Sequence, residues 1–287
     1  FLGSQASGAG RCRVDRARRL RPQYPVSCRN STPCIRGRHP ARRRDHTTTV
    51  GGNVTALEIE GSFDDCQAMV KSAFQDEELQ RCRPLTSANS INIGRWLPQS
   101  IYYAWAAAQT DQSLRFVIPS GNFGNAAAGI LAQRMGVPVH SFVAAVNANA
   151  AMRDYLESGV YQPKESVQTI SNAMDVGDPS NRPRLEWLHN GSIEQMQRQL
   201  SAVVVGEEAT KRTMRDMWSR SSMLVCPHTA VGIHAAQGLD VSDNGNDLTV
   251  VLATADAAKF GEIVFEATGE KPEVPKALQG CLLKTKS

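Results

Sequence analysis

The sequence predicts an α/β fold, a three-layer sandwich in which helices cover both faces of a parallel sheet. The first observation is a short, largely apolar strand at 114–119, followed by a glycine turn at 120–125, a helix of small residues at 126–135 and a second strand at 139–146. Such a strand–helix–strand unit predicts two parallel strands joined by a right-handed crossover. The second observation is another apolar strand at 247–253, after a series of helical segments. Strands that alternate with helices are typical of a doubly wound sandwich.

The chain before this unit predicts one strand and one capped helix. Apolar and polar residues alternate over 54–60, which is the period of a half-buried strand. Ser62 and Asp65 have the spacing of a capping box, in which side chains satisfy the free N–H groups at a helix start. We therefore predict a helix over 64–74.

The remaining elements follow from apolar periodicity and local breakers. Polar residues at 76–92 predict a loop, and the apolar run at 94–109 predicts a helix. The later part of the chain predicts six further helices, one of which has Thr229 as its cap. These helices are predicted at 149–157, 182–189, 192–201, 207–219, 229–238 and 259–268.

Composition excludes several classes of protein. Of the 287 residues, 41% are hydrophobic and 21% are charged, the balance of a globular chain rather than a disordered or fibrous one. No apolar run reaches the ~18 residues of a membrane-spanning helix, so we expect no membrane partner. Seven Cys are scattered without Cys-x-x-Cys pairs or Cys/His clusters, which argues against zinc and against a secreted disulfide scaffold. We therefore expect a reduced, cytoplasmic protein without a metal ion.

Positive charge is concentrated at the start of the chain. Residues 1–46 contain 12 Arg, two Asp and neither Lys nor Glu, while the whole chain has a net charge of only +4. Three interpretations are open: an arm that binds nucleic acid, an Arg-rich transit peptide, and non-native or disordered sequence. We predict the third and expect no nucleic-acid partner. Because the chain opens with Phe1 and its first Met is Met69, we also expect it to be N-terminally incomplete.

The turn at 120–125 carries the clearest signal for a ligand. Glycines between a strand and a helix let several backbone N–H groups point into one concavity, and the helix N-terminus adds partial positive charge. The turn therefore suits a phosphate group, although it matches neither the Walker loop nor the Gly-x-Gly-x-x-Gly dinucleotide motif. An ordinary tight turn is the alternative, and the local pattern leaves both open.

Other polar segments carry weaker signals. Asn and Ser are dense in 87–95 and 171–181, where they can bind a ligand or equally form turns and helix caps. Thr254 follows an apolar strand, at the position where open α/β sheets bind ligands. The spacing shows no Ser-His-Asp triad, and the neighbours Cys226 and His228 give little support for a thiol nucleophile.

Six segments, taken in order along the chain, resemble the threonine synthase family of pyridoxal-phosphate enzymes, which have the tryptophan synthase β-like fold. They are GSFDDCQ (61–67), SANSINIGR (87–95), PSGNFGN (119–125), SNAMDVGDPSN (171–181), PHTAVG (227–232) and LATADAAKF (252–260). The resemblance implies that family's α/β architecture in truncated form. It implies a catalytic core at 47–278, with a tail at 279–287.

The resemblance also implies a reaction, a cofactor and a set of residues. The family is a carbon–oxygen lyase of amino-acid biosynthesis, which converts O-phospho-L-homoserine and water to L-threonine and phosphate. Its cofactor is pyridoxal 5′-phosphate, which acts as an electron sink. The family's phosphate-holding loop and the hydroxyl beside its pyridine nitrogen map onto Gly121, Asn122, Phe123, Gly124, Asn125 and Thr254. The segments near its substrate map onto Asn89, Ser90, Asn92 and Arg95.

The sequence departs from the family at the lysine that carries the cofactor. The family has this lysine in an upstream Phe-Lys-Asp context, which no Lys of this chain shares, and Lys259 matches a later Ala-Lys-Phe segment. Asp256 and Ala257 stand where the family commonly has His-Pro. We therefore expect that the Schiff-base lysine is not present in this chain and that the chain alone is inactive.

Two other functions stay open at this stage. One is another pyridoxal-phosphate lyase of the same fold, such as a threonine or serine dehydratase, although the segments at 171–181 and 87–92 favour the synthase. The other is a non-catalytic fragment whose basic segment binds nucleic acid. That function predicts salt-dependent binding that is lost when residues 1–46 are removed.

Overall fold

The computed structural model describes residues 2–4, 32–36, 54–61, 63–87, 89–239, 247–276 and 279. The chain divides into two compact units, one formed by residues 1–92 with 275–287 and the other by residues 93–274. The predicted domain boundaries at 46 and 278 lie outside the described residues. They stay a prediction, as does the interpretation of residues 1–46.

Among its described residues, the first unit contains four short strands and two helices. The strands are β1 (Leu2–Ser4), β2 (Thr32–Arg36), β3 (Val54–Glu58) and β4 (Leu85–Ser87). β1 pairs antiparallel with β4, and β2 pairs in parallel with β3. The helices are α1 (Phe63–Gln75) and α2 (Glu77–Cys82).

The second unit is built on four parallel strands. They are β5 (Ser113–Pro119), β6 (Val139–Val146), β7 (Leu200–Val204) and β8 (Asp247–Val251). The helices are α3 (Ile93–Trp96), α4 (Ser100–Ala107), α5 (Gly124–Arg134), α6 (Ala151–Ser158), α7 (Arg182–Leu188), α8 (Ile193–Gln199), α9 (Glu207–Ser221), α10 (Pro227–Gln237) and α11 (Gly261–Thr268). Three 3-10 turns lie at Leu97–Gln99, Asn172–Met174 and Ala257–Phe260. No helix of the described residues is long and apolar enough to cross a membrane.

The sheet of the second unit has the order β7-β6-β5-β8, with every pair parallel. Phe116 of β5 lies opposite Phe142 of β6, and Val117 lies opposite Val251 of β8. Phe116 packs into a buried cluster with residues of α4 and α5, whereas Val117 packs into a second cluster with residues of α10. Helices therefore cover both faces of a parallel sheet, which confirms the predicted α/β sandwich and its strand–helix–strand unit.

Aromatic packing fills the core between α4, α5 and the sheet. The Tyr103 ring meets the Phe116 ring edge-on, with the centroids 4.7 Å apart, and lies 5.9 Å from the Phe142 ring. Gly129 of α5 lies against both Tyr103 and Phe142, because a Cβ atom there would be 2.5 Å from Tyr103 Cζ. The small residues that predicted this helix therefore allow it to pack closely onto the aromatic layer.

Three stretches differ from the sequence prediction. Residues 76–92 are not all loop, because Asp76 caps α2 by accepting a hydrogen bond from the Leu79 N–H at 2.9 Å, and β4 follows. The helix predicted over 94–109 is divided by a 3-10 turn at Pro98, which has no N–H to continue the hydrogen-bond ladder. The helix predicted over 192–201 ends at Gln199, because the next residues form β7 and pair with β6.

The cap of α10 also differs from the prediction. Cys226 is the N-cap, and its Sγ accepts a hydrogen bond from the Thr229 N–H at 3.4 Å. Thr229 was the wrong choice because a thiol can take the capping role when it is buried beside the helix start. The cap predicted at Ser62 lies outside the described residues.

We expect Phe142→Ala to lower the free energy of unfolding by about 3–5 kcal/mol, because the ring is 1% exposed and its removal leaves a cavity against Tyr103 and Phe116. Phe265→Ala on α11 is the matched control. Phe265 is 46% exposed, and its loss should cost less than about 1 kcal/mol. Urea denaturation of both variants measures the difference, and equal effects would contradict the core assignment.

Candidate functional site

The carboxyl ends of the parallel strands meet at one edge of the sheet in the second unit. The glycine turn at 120–125 leaves β5 at this edge, and Thr254 follows β8, the strand paired with β5. The pairing continues past β8, since the Leu252 N–H donates to the Val117 carbonyl at 3.0 Å. The turn and Thr254 therefore follow neighbouring strands at the edge where open α/β sheets bind ligands.

The glycine turn ends in a strained residue that starts α5. Phe123 is 3% exposed and has a φ of 57° and a ψ of 15°, in the left-handed region that a bulky side chain rarely adopts. The backbone N–H groups of Phe123, Gly124 and Asn125 donate to no protein atom in the part of the chain that the structure describes. These donors lie at the positive end of an 11-residue helix, which is the arrangement that binds an anion.

The segment 171–181 forms one wall of this turn. A Cβ atom on Gly121 would lie 2.6 Å from Met174 Cα, so the two backbones are in direct contact. Asn122 Oδ1 accepts hydrogen bonds from the Ser180 N–H at 2.6 Å and from Ser180 Oγ at 2.9 Å. The Asn122 carbonyl accepts a third from Asn181 Nδ2 at 2.8 Å. The fold thus joins two segments that the sequence singled out separately.

Asn125 attaches the turn to the helices on its other side. Its Nδ2 donates to Gln99 Oε1 at 2.9 Å, and its carbonyl accepts from the Tyr103 hydroxyl at 2.9 Å. Burial raises the pKa of Tyr103 well above its ordinary value, so this hydroxyl keeps its proton and acts as a donor. The side chain of Asn125 is therefore used to hold the start of α5, and its backbone N–H is left for a ligand.

A buried polar network holds the segment 167–175 against the end of β6. Asp175 and Asn147 are 7% and 3% exposed, and Asn147 Nδ2 donates to Asp175 Oδ1 at 2.8 Å. Asn149 Oδ1 accepts from the Val167 N–H at 2.7 Å, and Thr169 Oγ1 donates to Asp175 Oδ1 at 2.7 Å. The sequence reasoning singled out the segment 171–181, which contains Asp175, but did not select Asn147 or Asn149. Two Asn immediately after a buried strand were the available signal.

His228, in the segment 227–232, contacts two other segments that the sequence singled out, 171–181 and 252–260. Its Nε2 accepts a hydrogen bond from the Ala173 N–H at 3.1 Å, and its ring centroid lies 4.6 Å from that of Phe260. His228 is 3% exposed at the first turn of α10. It packs between the segment 171–181 and the 3-10 turn that contains Lys259, which is a structural role that the sequence left undefined.

A cluster of charged and aromatic residues fixes the far end of the segment 171–181. The Tyr161 hydroxyl donates to Asp178 Oδ1 at 2.6 Å, and the Arg182 guanidinium lies 4.2 Å from the Tyr161 ring centroid. Burial, and then this hydrogen bond, raise the pKa of Tyr161 far above its ordinary value. Arg182 also pairs with Glu186 one turn along α7. Contacts with the rest of the second unit therefore hold the segment 171–181 at both of its ends.

The predicted substrate-binding residues make local contacts in the structure. Asn89 Oδ1 accepts from the Ser90 N–H at 2.6 Å, and Asn92 Nδ2 donates to the Ser87 carbonyl at 3.0 Å, all within the first unit. Arg95 belongs to the second unit and is exposed on α3. These contacts are turn and cap interactions, and a substrate role for the four residues stays a prediction.

The sheet edge offers backbone N–H donors of a kind that suits an anion. The described residues contain no group of three or more His, Cys, Asp or Glu that could hold a metal ion. Cys226 is a buried thiol that caps α10 and lies against Thr229, so its contacts are those of a helix cap. Asp256 caps the 3-10 turn by accepting from the Ala258 N–H at 2.8 Å. Exposed Thr254 adds a neutral hydroxyl at the same edge.

Two family models match this chain. A family model for pyridoxal-phosphate dependent enzymes matches residues 28–255, and a model for the C-terminal part of threonine synthase matches residues 229–287. The threonine synthase of Serratia marcescens is 44% identical over 234 residues, which cover 80% of this chain and 53% of that protein.

Solved structures of threonine synthases also match this chain. The crystal structure of threonine synthase from Escherichia coli matches with a TM-score of 0.81 at 38% identity, over 89% of this chain and 60% of that one. The structure of pyridoxal-phosphate-bound threonine synthase from Brucella melitensis matches with a TM-score of 0.73 at 33% identity, over 85% and 58%. The resemblance drawn from the six segments is confirmed. The chain spans a little over half the length of the curated relatives it matches.

Proposed function

Because the chain belongs to the pyridoxal-phosphate-dependent enzymes and is 44% identical to a threonine synthase over 80% of its length, we propose that it forms part of a threonine synthase. The reaction converts O-phospho-L-homoserine and water to L-threonine and phosphate. The γ carbon–oxygen bond to the phosphate breaks, the β carbon loses a proton and the γ carbon takes one up to become a methyl group. The hydroxyl of water ends on the β carbon, and the departing phosphate takes the remaining proton. Bound pyridoxal phosphate supplies an electron sink beside the amino group of the substrate.

The single observation that carries the proposal is the glycine turn at the sheet edge. The N–H groups of Phe123, Gly124 and Asn125 are available to a dianionic phosphate at the positive end of α5. The strained backbone of Phe123 supports a ligand role, since left-handed non-glycine residues concentrate at binding sites. We assign the phosphate of the cofactor to Gly121, Asn122, Phe123, Gly124 and Asn125.

Thr254 is the proposed partner of the pyridine nitrogen. It is exposed after β8, beside the strand that leads into the glycine turn, so one ligand could contact both. A neutral hydroxyl does not hold the pyridine nitrogen protonated as a carboxylate would, which gives the cofactor a weaker electron sink. Asn89, Ser90, Asn92 and Arg95 are the proposed contacts of the substrate. We also propose a cytoplasmic location.

The residues of this chain are proposed to hold the cofactor without a covalent bond. No Lys stands in the Phe-Lys-Asp context of the family, and Lys259 is exposed on the 3-10 turn at 257–260. Other lyases of the same fold are the alternative, and the similarities above favour the synthase over them.

Gly121→Ala tests the phosphate assignment. Its Cβ would displace the Met174 backbone and move the turn, so we expect the affinity for pyridoxal phosphate to fall about 10-fold or more, as for a lost hydrogen bond to a charged group. Affinity for pyridoxal, which lacks the phosphate, should be unchanged. Absorbance titrations measure both constants. Gly238→Ala, whose Cβ meets nothing closer than 3.8 Å, is the control.

Borohydride reduction tests the mode of attachment. With one equivalent of pyridoxal phosphate, we expect the intact mass of the reduced protein to show no covalent adduct, because the lysine context of the family is missing. A stoichiometric adduct would contradict non-covalent binding. Peptide mapping would then begin with Lys259.

Product analysis tests the reaction itself. With pyridoxal phosphate and O-phospho-L-homoserine, threonine synthase activity predicts L-threonine and inorganic phosphate in equal amounts. Amino-acid analysis and a phosphate assay on the same sample measure them. A 2-oxo acid and ammonia in place of L-threonine would instead support a dehydratase-like lyase.

A further inference from the structure

We propose that Asp175 is a positioning residue that sets the shape of the glycine turn and so determines its preference for a phosphate group. Asp175 does not belong to the turn. It acts through the segment 171–181, whose backbone forms the wall of the turn. The inference rests on the proposed function, since the phosphate concerned is that of the cofactor.

Four hydrogen bonds to the Asp175 carboxylate tie two parts of the chain together. Oδ1 accepts from Asn147 Nδ2 at 2.8 Å, from Asn149 Nδ2 at 3.2 Å and from Thr169 Oγ1 at 2.7 Å. Oδ2 accepts from the Thr169 N–H at 2.9 Å. Asn147 and Asn149 directly follow β6, so the carboxylate fixes the segment 167–175 to the rigid end of a central strand.

The chemistry of these bonds requires an acid rather than an amide. All four partners are donors, and an ionised carboxylate offers about four lone-pair sites and no hydrogen. Asn at position 175 would place an NH₂ group against at least one donor. In a site where Asp175 is 7% exposed, water cannot replace the lost bond.

A change at Asp175 reaches the glycine turn through Met174. Met174 precedes Asp175, and its backbone is the surface against which Gly121 packs. A second bond holds the same stretch, because the Ala173 N–H donates to His228 Nε2 at 3.1 Å. A shift of Asp175 therefore moves the wall on which Gly121 rests, and with it the N–H groups of Phe123 and Gly124.

A role through charge and a role through position predict opposite changes in phosphate affinity when Asp175 is neutralised. A carboxylate near an anion site repels the anion, so a purely electrostatic role predicts tighter phosphate binding when Asp175 is neutralised. A positioning role predicts weaker binding, because the donors of the turn lose their alignment. These four bonds come from neutral amide, hydroxyl and backbone donors, and we expect the alignment of the wall to be the larger effect.

Asp175→Asn is the test, with Asp111→Asn as the matched control. Asp111 is exposed before β5, at the opposite edge of the sheet. For each protein, absorbance titrations give the affinity for pyridoxal phosphate divided by that for pyridoxal. We expect this ratio to fall about 10-fold in Asp175→Asn, by analogy with a lost bond to a charged group, and to stay at the wild-type value in the control.

Thr169→Val keeps the test decisive if Asp175→Asn does not fold. It removes the Thr169 Oγ1 donor to the carboxylate, together with the bond that Oγ1 accepts from Asn147 Nδ2 at 2.8 Å, and leaves the charge in place. The ratio should therefore fall about 10-fold, as for a lost bond to a charged group. Urea denaturation of each variant records stability separately. Recovery of part of the ratio in a variant with Asn147→Asp and Asp175→Asn together would support the donor–acceptor argument, since the pair is then reversed.

Three results would overturn the inference. They are an unchanged ratio in Asp175→Asn, a higher ratio, and an equal loss of affinity for both ligands, which would indicate a general structural role. A different failure applies to the proposed function. If the wild-type protein showed no preference for pyridoxal phosphate over pyridoxal, the phosphate assignment itself would be wrong.

Discussion

At residue 121 the turn and the segment 171–181 meet backbone to backbone, since a Cβ atom there would lie 2.6 Å from Met174 Cα. Gly121 is needed for space rather than for a positive φ, which falls two residues later at Phe123. The contact fixes the position of the turn just before α5, whose first N–H groups donate to no protein atom among the described residues. Once the two backbones are in contact, Ser180 and Asn181 come within hydrogen-bonding distance of Asn122.

The segment that presses on the turn is polar and buried, and it is stable there because its groups are paired. Asp175, Asn147 and Ser171 are each less than a tenth exposed, yet hydrogen bonds join them. An unpaired polar group in such a place costs about 1–3 kcal/mol, so the network is stable only when it is complete. This requirement gives a single arrangement to a loop that has little regular structure of its own.

The parallel sheet brings the parts of the site to one edge. Because all four strands run in the same direction, the turn after β5, the two Asn after β6 and Thr254 after β8 are placed side by side. Gly129 and Gly232 allow a helix to approach the sheet closely on either face. The aromatic and aliphatic core between them supplies the rigid support on which a binding site depends.

The sandwich, the strand–helix–strand unit and the glycine turn could be predicted before folding was known, because they depend on local periodicity and on residues close together in the chain. The order of six short segments likewise indicated the family. Tertiary structure alone decided that 200–204 is a strand, since its partner β6 lies more than 50 residues earlier. It also decided that Cys226 rather than Thr229 caps α10, and that Asp175 pairs with Asn147. These outcomes depend on which residues far apart in the sequence become buried side by side, and only the folded chain brings them together.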